Sequence, residues 1–270
     1  MKPQRRSPKK ITLLMRTRFL PFLSGAVSCL LLAISSHAVE QWGVFESTFE
    51  APATAQPWRD IRLAATFSQG DQQLQVDGFW DGENTFRIRF SPPTTGEWRF
   101  VTSSNRPELT GRTGSFVVDQ PSGANHGPIE IFKTFYLRYA DGTPYHQFGT
   151  TCYAWIHQPA TLREQTLETL ASSPFNKIRF CVFPKSYSYN KNEPELFAFK
   201  QGADGEFDFD QPDPVFWHHL EECILDLQGL GIEADVILWH PYDRWGFADM
   251  SDPQDDRYLA YCIARLAAFR

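Results

Sequence analysis

The chain has 270 residues, 42% hydrophobic and 21% charged, with a formal net charge of −6. That length suffices for two domains of roughly 100–200 residues each, and the apolar share excludes a chain disordered throughout. Residues 1–38 carry seven of the 26 Lys+Arg and none of the 32 Asp+Glu, which leaves −13 for the remainder and makes nucleic acid and anionic membrane surfaces poor partners.

The first 38 residues differ from the rest. Lys2, Arg5, Arg6, Lys9, Lys10, Arg16 and Arg18 precede an apolar run from Phe19 to Ile34, and Ser36-His37-Ala38 supplies a small-residue cleavage site. This is the order of a secretory signal peptide, so export to the periplasm or the medium, with cleavage after Ala38, is expected. Pro21, Ser24, Gly25 and Ser28 interrupt the run and argue against a permanent membrane span. In an exported chain Cys152, Cys181, Cys223 and Cys262 can form disulfides, with a Cys152–Cys181 bridge conceivable. Their spacing matches no C-x-x-C metal pattern, and buried free thiols are the favoured reading.

Residues 39–120 read as short strands: Trp42–Phe49, Ile61–Phe67, Gln73–Trp80, Thr85–Phe90, Glu97–Thr102 and Ser115–Val118. Period two is clearest at 85–90, where Phe86, Ile88 and Phe90 share one face and Arg87 and Arg89 the other. Asp81-Gly82, Pro92-Pro93, Thr95-Gly96 and Gly111 mark turns. Strands at this spacing, with no helical pattern among them, predict an immunoglobulin-like β-sandwich. Residues 121–128, rich in chain-bending residues and poor in core formers, form the expected linker.

From residue 129 the pattern changes. Ile129–Tyr139 reads as a hairpin. Strands at Tyr145–Tyr153, at Asn176–Phe183 and within Gly231–Trp245 then alternate with helices at Thr161–Ser172, Val215–Leu230 and Asp255–Arg270. Thr161 and Glu164 suggest a capping box, and Leu162, Leu167 and Leu170 the apolar face of the first helix. A long loop runs from Pro184 to Pro214. Strand–helix alternation predicts a parallel sheet. The apolar run Val236-Ile237-Leu238 is followed at once by Trp239, His240, Tyr242, Asp243, Arg244 and Trp245, the character of the C-terminal rim of an α/β barrel. Three of the eight units that close a TIM (β/α)8 barrel are legible. The expected fold class is therefore multidomain: a sandwich over 39–120, a linker, and the first three units of a truncated barrel over 129–270, an N-terminal fragment of a longer protein.

Three segments, T-T-C-Y-A-W-I-H-Q (150–158), N-K-I-R-F-C-V-F-P-K (176–185) and G-I-E-A-D-V-I-L-W-H-P-Y-D-R-W-G-F (231–247), closely resemble the apiosidase-like glycoside hydrolases, secreted bacterial TIM-barrel enzymes. The earlier D-G-x-N-x-F-x-x-R-F and G-x-W-x-F (81–100) resemble the sandwich domain of unknown function that often precedes that barrel. The resemblance implies cleavage of a glycosidic bond in a polysaccharide side chain by two carboxylates, about 5–5.5 Å apart in retaining enzymes and about 6.5–9.5 Å apart in inverting ones. In related barrels they follow the fourth and seventh strands, so both are expected beyond Arg270 and the present chain is expected to be inactive alone. No cofactor and no metal are implied. The partner implied is an oligo- or polysaccharide.

Other residues are candidates for binding or support. Arg179 could hold a catalytic carboxylate ionised or form an ordinary salt bridge across the barrel; the resemblance favours the first. His240 could hydrogen-bond a sugar hydroxyl, orient a carboxylate, or be a satisfied structural histidine. Asp243 could bind sugar hydroxyls or serve a turn. Tyr153, Trp155, Tyr242 and Trp245 are candidate stacking platforms, and Lys185 a polar contact. Asp204, Glu206, Asp208 and Asp210 alternate like calcium ligands but lack the glycine and distal glutamate of an EF-hand, so they read as a hairpin with solvated acids. His219 and Cys223, four apart without a second pair, read as a helix face. The alternative function is a non-catalytic carbohydrate-binding or adhesion protein in which the sandwich does the work.

Overall fold

The computed structural model describes residues 39–52 and 54–269; the expected signal peptide lies outside the described residues. Two sheets pack face to face in the first half. Strands β1 (Val39–Glu40), β2 (Phe45–Glu50), β3 (Leu63–Gln69), β4 (Gln72–Asp77), β5 (Phe79–Trp80), β6 (Thr85–Phe90), β7 (Gly96–Ser104) and β8 (Thr113–Asp119) form a five-stranded sheet in the order β1-β8-β7-β3-β4 and a three-stranded sheet β2-β6-β5. A short helix α1 (Pro57–Asp60) links β2 and β3. The alternation of β6 puts Phe86, Ile88 and Phe90 inward, where Phe90 stacks on Phe67 of the facing sheet at 4.1 Å and Phe45 on Phe116 at 3.8 Å. Burying such rings stabilises by about 1.5–3 kcal/mol each.

Residues 121–128 are pinned in place. Asn125 is buried, donates to Glu40 Oε1 (2.7 Å) and the Gln41 carbonyl (3.0 Å), and accepts from the Gly127 amide. Gly127 has φ +76° and lies so close to the Trp42 indole that a Cβ there would sit 2.6 Å from it.

The second half begins with the hairpin β9 (Ile129–Phe132) and β10 (Tyr136–Tyr139). Strands β11 (Gly149–Thr151), β12 (Lys177–Cys181) and β15 (Glu233–Ile237) form a parallel three-stranded sheet in that order. Helices α2 (Ala160–Ala171), α3 (Pro214–Gly229) and α4 (Asp252–Leu266) follow these strands in turn. Ile178 and Phe180 point from β12 into the helix-side core with Trp217, Leu220, Ile224 and Leu227 of α3. The opposite face of the sheet carries Lys177, Arg179, Glu233 and Asp235, as period two requires.

Three expectations need correction. β11 is short because the Asn176 side chain takes the Phe148 amide (2.8 Å) and the His146 carbonyl (2.9 Å), holding that segment out of the ladder. α2 starts at Ala160, since the Pro159 carbonyl accepts its first helical bond from Arg163; Thr161 is already helical, caps nothing, and Leu162 is exposed. The capping box is at α4, where Ser251 and Gln254 bond reciprocally and start the helix three residues before the expected Asp255. The long loop holds a further hairpin, β13 (Phe199–Gln201) and β14 (Phe207–Pro212), which carries the alternating acids on a β-hairpin as expected. The four described cysteines are free, and burial pushes the Cys181 thiol up to about 11 and that of Cys262 to about 12.

The polar face of β6 is covered. Arg89 forms a two-pronged pair with Glu221 of α3 (2.5 and 2.9 Å) and bonds Glu46 of β2 (2.6 Å). Arg265 of α4, 0% exposed, bonds the same Glu221, reaches Asp81 at 2.7 Å, and donates to the Tyr261 hydroxyl. Asp81 also takes Arg87 (2.5 Å) and His218 (2.8 Å), and Arg87 closes the set on Glu46. Three guanidinium groups thus meet three carboxylates across the contact between sandwich and helices. Burial pushes the Asp81 carboxyl up, but Arg265, His218 and Arg87 outweigh it and hold it below the usual range.

Removing one member strands a buried charge. Glu221→Gln is expected to lower unfolding stability by about 3–5 kcal/mol, read as a shifted denaturant midpoint at unchanged slope. Because the folded Asp81 value is depressed, its contribution is complete above the unfolded value of about 4 and is lost as pH falls through the folded one. Stability should therefore decline below about pH 4, less steeply in Asp81→Asn; identical pH profiles for the two proteins would contradict the pairing.

Candidate functional site

The outgoing ends of β11, β12 and β15 lie side by side, so the segments that follow them share one rim. Tyr153 follows β11, and its carbonyl accepts from the Cys181 amide, which anchors it against β12. Lys185 follows β12, and its Nζ lies 3.6 Å from the centre of the Tyr153 ring, 4.4 Å from that of Tyr242 and 5.3 Å from that of Tyr187. Tyr242, 59% exposed, comes from the segment after β15. Three loops therefore place tyrosine rings around one ammonium group, an arrangement stabilised by the ring quadrupoles. Tyr189, almost fully exposed, extends the aromatic surface next to Tyr187.

Arg179 is half exposed. Its Nε and Nη2 both address Asp235 Oδ2, at 2.9 and 2.8 Å, and Lys177 Nζ reaches the same oxygen at 2.7 Å. This is the salt-bridge alternative, set by the register that places Arg179 opposite Asp235. Partial burial raises the Asp235 carboxyl, but its bonds to Lys177 and Arg179 prevail and keep it low and ionised.

His240 is committed to the backbone. Its Nδ1 accepts from the Tyr242 amide (3.2 Å), so Nε2 carries the proton and donates to the Phe183 carbonyl (3.1 Å). The ring ties the end of β15 to the end of β12 and has no nitrogen left for a sugar hydroxyl, so of the three readings the satisfied structural histidine matches this geometry. Asp243 accepts from the amides of Trp245 (2.6 Å) and Ala248 (2.7 Å), shaping the turn before a short 3-10 segment, Phe247–Asp249. Trp245 donates to Glu193 (2.7 Å), which also takes Arg244 (2.6 Å). Trp155 is 3% exposed and packs edge-on against Phe180, so it is core and offers no face to a ligand.

Of the expected residues, the structure gathers Tyr153, Lys185 and Tyr242, with Arg179 on the adjoining sheet face. It places Trp155 beneath, and His240, Asp243 and Trp245 in the loop scaffold. Sequence reasoning missed Tyr187, Tyr189, Asp235 and His157. Asp235 was accessible: period two puts it and Glu233 on the face of Lys177 and Arg179 in the neighbouring strand. His157 is buried against Phe216, its Nε2 meets no partner among the described residues, and burial pushes its pKa down to about 3, so it is neutral. It lines a cleft of about 390 Å³ with Gln158, Asn192, Glu193 and His219. His219 Nε2 donates to the Ile156 carbonyl (2.8 Å) and lies 3.7 Å from Cys223 Sγ.

Residues 38–105 match the family described as a domain of unknown function, DUF5060. The crystal structure of a "putative glycoside hydrolase" from Bacteroides vulgatus is 48% identical to the chain, covers 86% of it, and superposes with a TM-score of 0.83. The chain covers 48% of that protein, so it spans about half the relative's length. A glycoside hydrolase family 5 protein from the same organism is 14% identical over 49% of this chain and 28% of its own, with a TM-score of 0.36. A further glycoside hydrolase is 18% identical over 46% and 27%, with a TM-score of 0.31. Neither of the last two carries weight at such distances. No curated protein matches. The chain is thus similar, across both halves, to a glycoside hydrolase-like protein.

The assigned scaffold role of His240 predicts the outcome of replacing it. His240→Ala frees one amide and one carbonyl and should lower stability by about 1–3 kcal/mol in thermal or denaturant unfolding. An unchanged midpoint would show that the ring does not tie the two strand ends.

Proposed function

We propose that this chain is part of an exported glycoside hydrolase. In this reading it supplies an immunoglobulin-like sandwich and the first three strand–helix units of a (β/α)8 barrel, and its rim forms one side of the glycan cleft. The observation that carries the reading is the group of Tyr153, Lys185 and Tyr242 at the outgoing ends of three parallel strands, where α/β proteins place their ligands. The likeness to the Bacteroides protein supports it. The leader's basic and apolar segments support export. The apiosidase-like resemblance points to polysaccharide side chains as substrate.

The chemistry available at this rim is binding. The exposed ring of Tyr242 can pack on the apolar face of a pyranose or furanose, and Lys185 can donate to oxygens beside it. Cleavage needs one carboxyl group to protonate the leaving oxygen and another to attack or to activate water. The rim carboxylates are otherwise engaged: Asp235 by two cations, Asp243 by two amides, Glu193 by Arg244 and Trp245. We assign the acid/base pair to residues following the third strand–helix unit. The same engagement favours, as a second reading, a protein that binds carbohydrate without cutting it.

Incubated with aryl glycosides and with plant and microbial polysaccharides, the 270-residue chain should release no sugar, yet should be retarded by at least one polysaccharide in affinity electrophoresis. Tyr242→Ala should weaken that retardation several-fold. Sugar release would contradict the engagement of the rim carboxylates, and unretarded migration in every polysaccharide would contradict a glycan site.

A further inference from the structure

One cation on this rim has no carboxylate beside it. Lys177 and Arg179 share one oxygen of Asp235, and Glu233 stands opposite Lys177 on the same sheet face, so those four groups balance in charge. Lys185 is different: its ammonium contacts ring faces, and no ion pair among the described residues includes it. Arg179 is its neighbour: it stands opposite Thr151, two residues before Tyr153, whose ring lies under Lys185. The residues beyond 38 carry −13 in total, so an ammonium with no carboxylate beside it is a local feature and not a general one.

Ring faces hold an ammonium in place without neutralising it, and they leave N–H donors unspent. They also displace water, which strengthens pairing with an incoming anion. A neutral hydroxyl can accept one of those N–H groups but leaves the charge uncompensated. A carboxylate or sulfate oxygen does both, through the stronger charge-assisted bond.

Building on the glycan-binding reading above, we propose that this rim selects a glycan bearing an anionic substituent, a carboxylate or a sulfate, received by Lys185 between Tyr153 and Tyr242 with Arg179 as the second cation. No covalent step is involved. The neutral sugar ring would lie on Tyr242, and the substituent would set its orientation.

The test measures binding of the 270-residue chain to two matched pairs: polygalacturonate with its carboxyl-reduced form, and dextran sulfate with dextran. At least one acidic polymer should bind roughly ten-fold more tightly than its neutral partner, and the better pair identifies carboxylate or sulfate. Lys185→Met should abolish that preference, Lys185→Arg should retain most of it, and Lys191→Met, an exposed lysine of the same loop, should leave it unchanged. Equal binding within both pairs overturns the inference while leaving the glycan site intact, and this comparison needs no variant to fold. Equal losses in Lys185→Met and Lys191→Met also overturn it, since they mark diffuse polyanion binding. Failure to bind either member of either pair, or any neutral polysaccharide, overturns the glycan-binding reading and the inference together.

Discussion

The Arg89–Glu221–Arg265–Asp81 cluster fixes the position of everything else. It joins β6 of the sandwich to α3 and α4, so two halves with separate apolar cores are held in one arrangement. Buried ion pairs are rarely stabilising compared with well-packed apolar groups, but breaking one is costly. Such a cluster therefore acts as a geometric constraint: a sandwich that shifted relative to the helices would leave a guanidinium or a carboxylate dry and unpaired. Phe79 reinforces the constraint, lying under both Arg89 and Arg265 at 4.8 Å and belonging to the helix-side core although it is part of β5.

The rim inherits its order from that constraint by way of α3 and α4. α3 packs behind β12, and Tyr258 of α4 donates to the Leu238 carbonyl at the end of β15. The strand ends are then tied to each other by His240 and shaped by Asp243, both engaged with backbone groups. Side chains that look catalytic in a sequence are here used to hold loops. What remains free to meet a ligand is aromatic and cationic: Tyr242, Tyr189, Lys185 and part of Arg179.

Much of this was legible in the sequence because it follows from periodicity. The alternation of 85–90 placed Phe86, Ile88 and Phe90 inside correctly, and the alternation of strands and helices after residue 129 gave the parallel order. The misreadings share a cause: each depended on a partner far away in sequence. Arg87 and Arg89 were placed on the face away from the core, but what covers that face was not legible, because Glu221, the partner of Arg89, lies more than a hundred residues on. For Arg179 the two readings, a catalytic carboxylate or an ordinary salt bridge, could not be separated, because Asp235 stands opposite it only once the strands pair. For His240 the readings of ligand and structural histidine stayed open, because no local signal shows that the Phe183 carbonyl needs a donor. Trp155 read as a platform because its distance from the surface is set by Phe180 and the helices, not by its neighbours in the chain. Caps, by contrast, are local, and the one at Ser251–Gln254 could have been read from S-D-P-Q directly.

If the buried ion cluster makes the two halves interdependent, they must unfold together. Scanning calorimetry of residues 39–270 tests this most directly. The expected result is one transition whose calorimetric and van't Hoff enthalpies agree. Two resolved transitions, one for the sandwich and one for the strand–helix units, would contradict it.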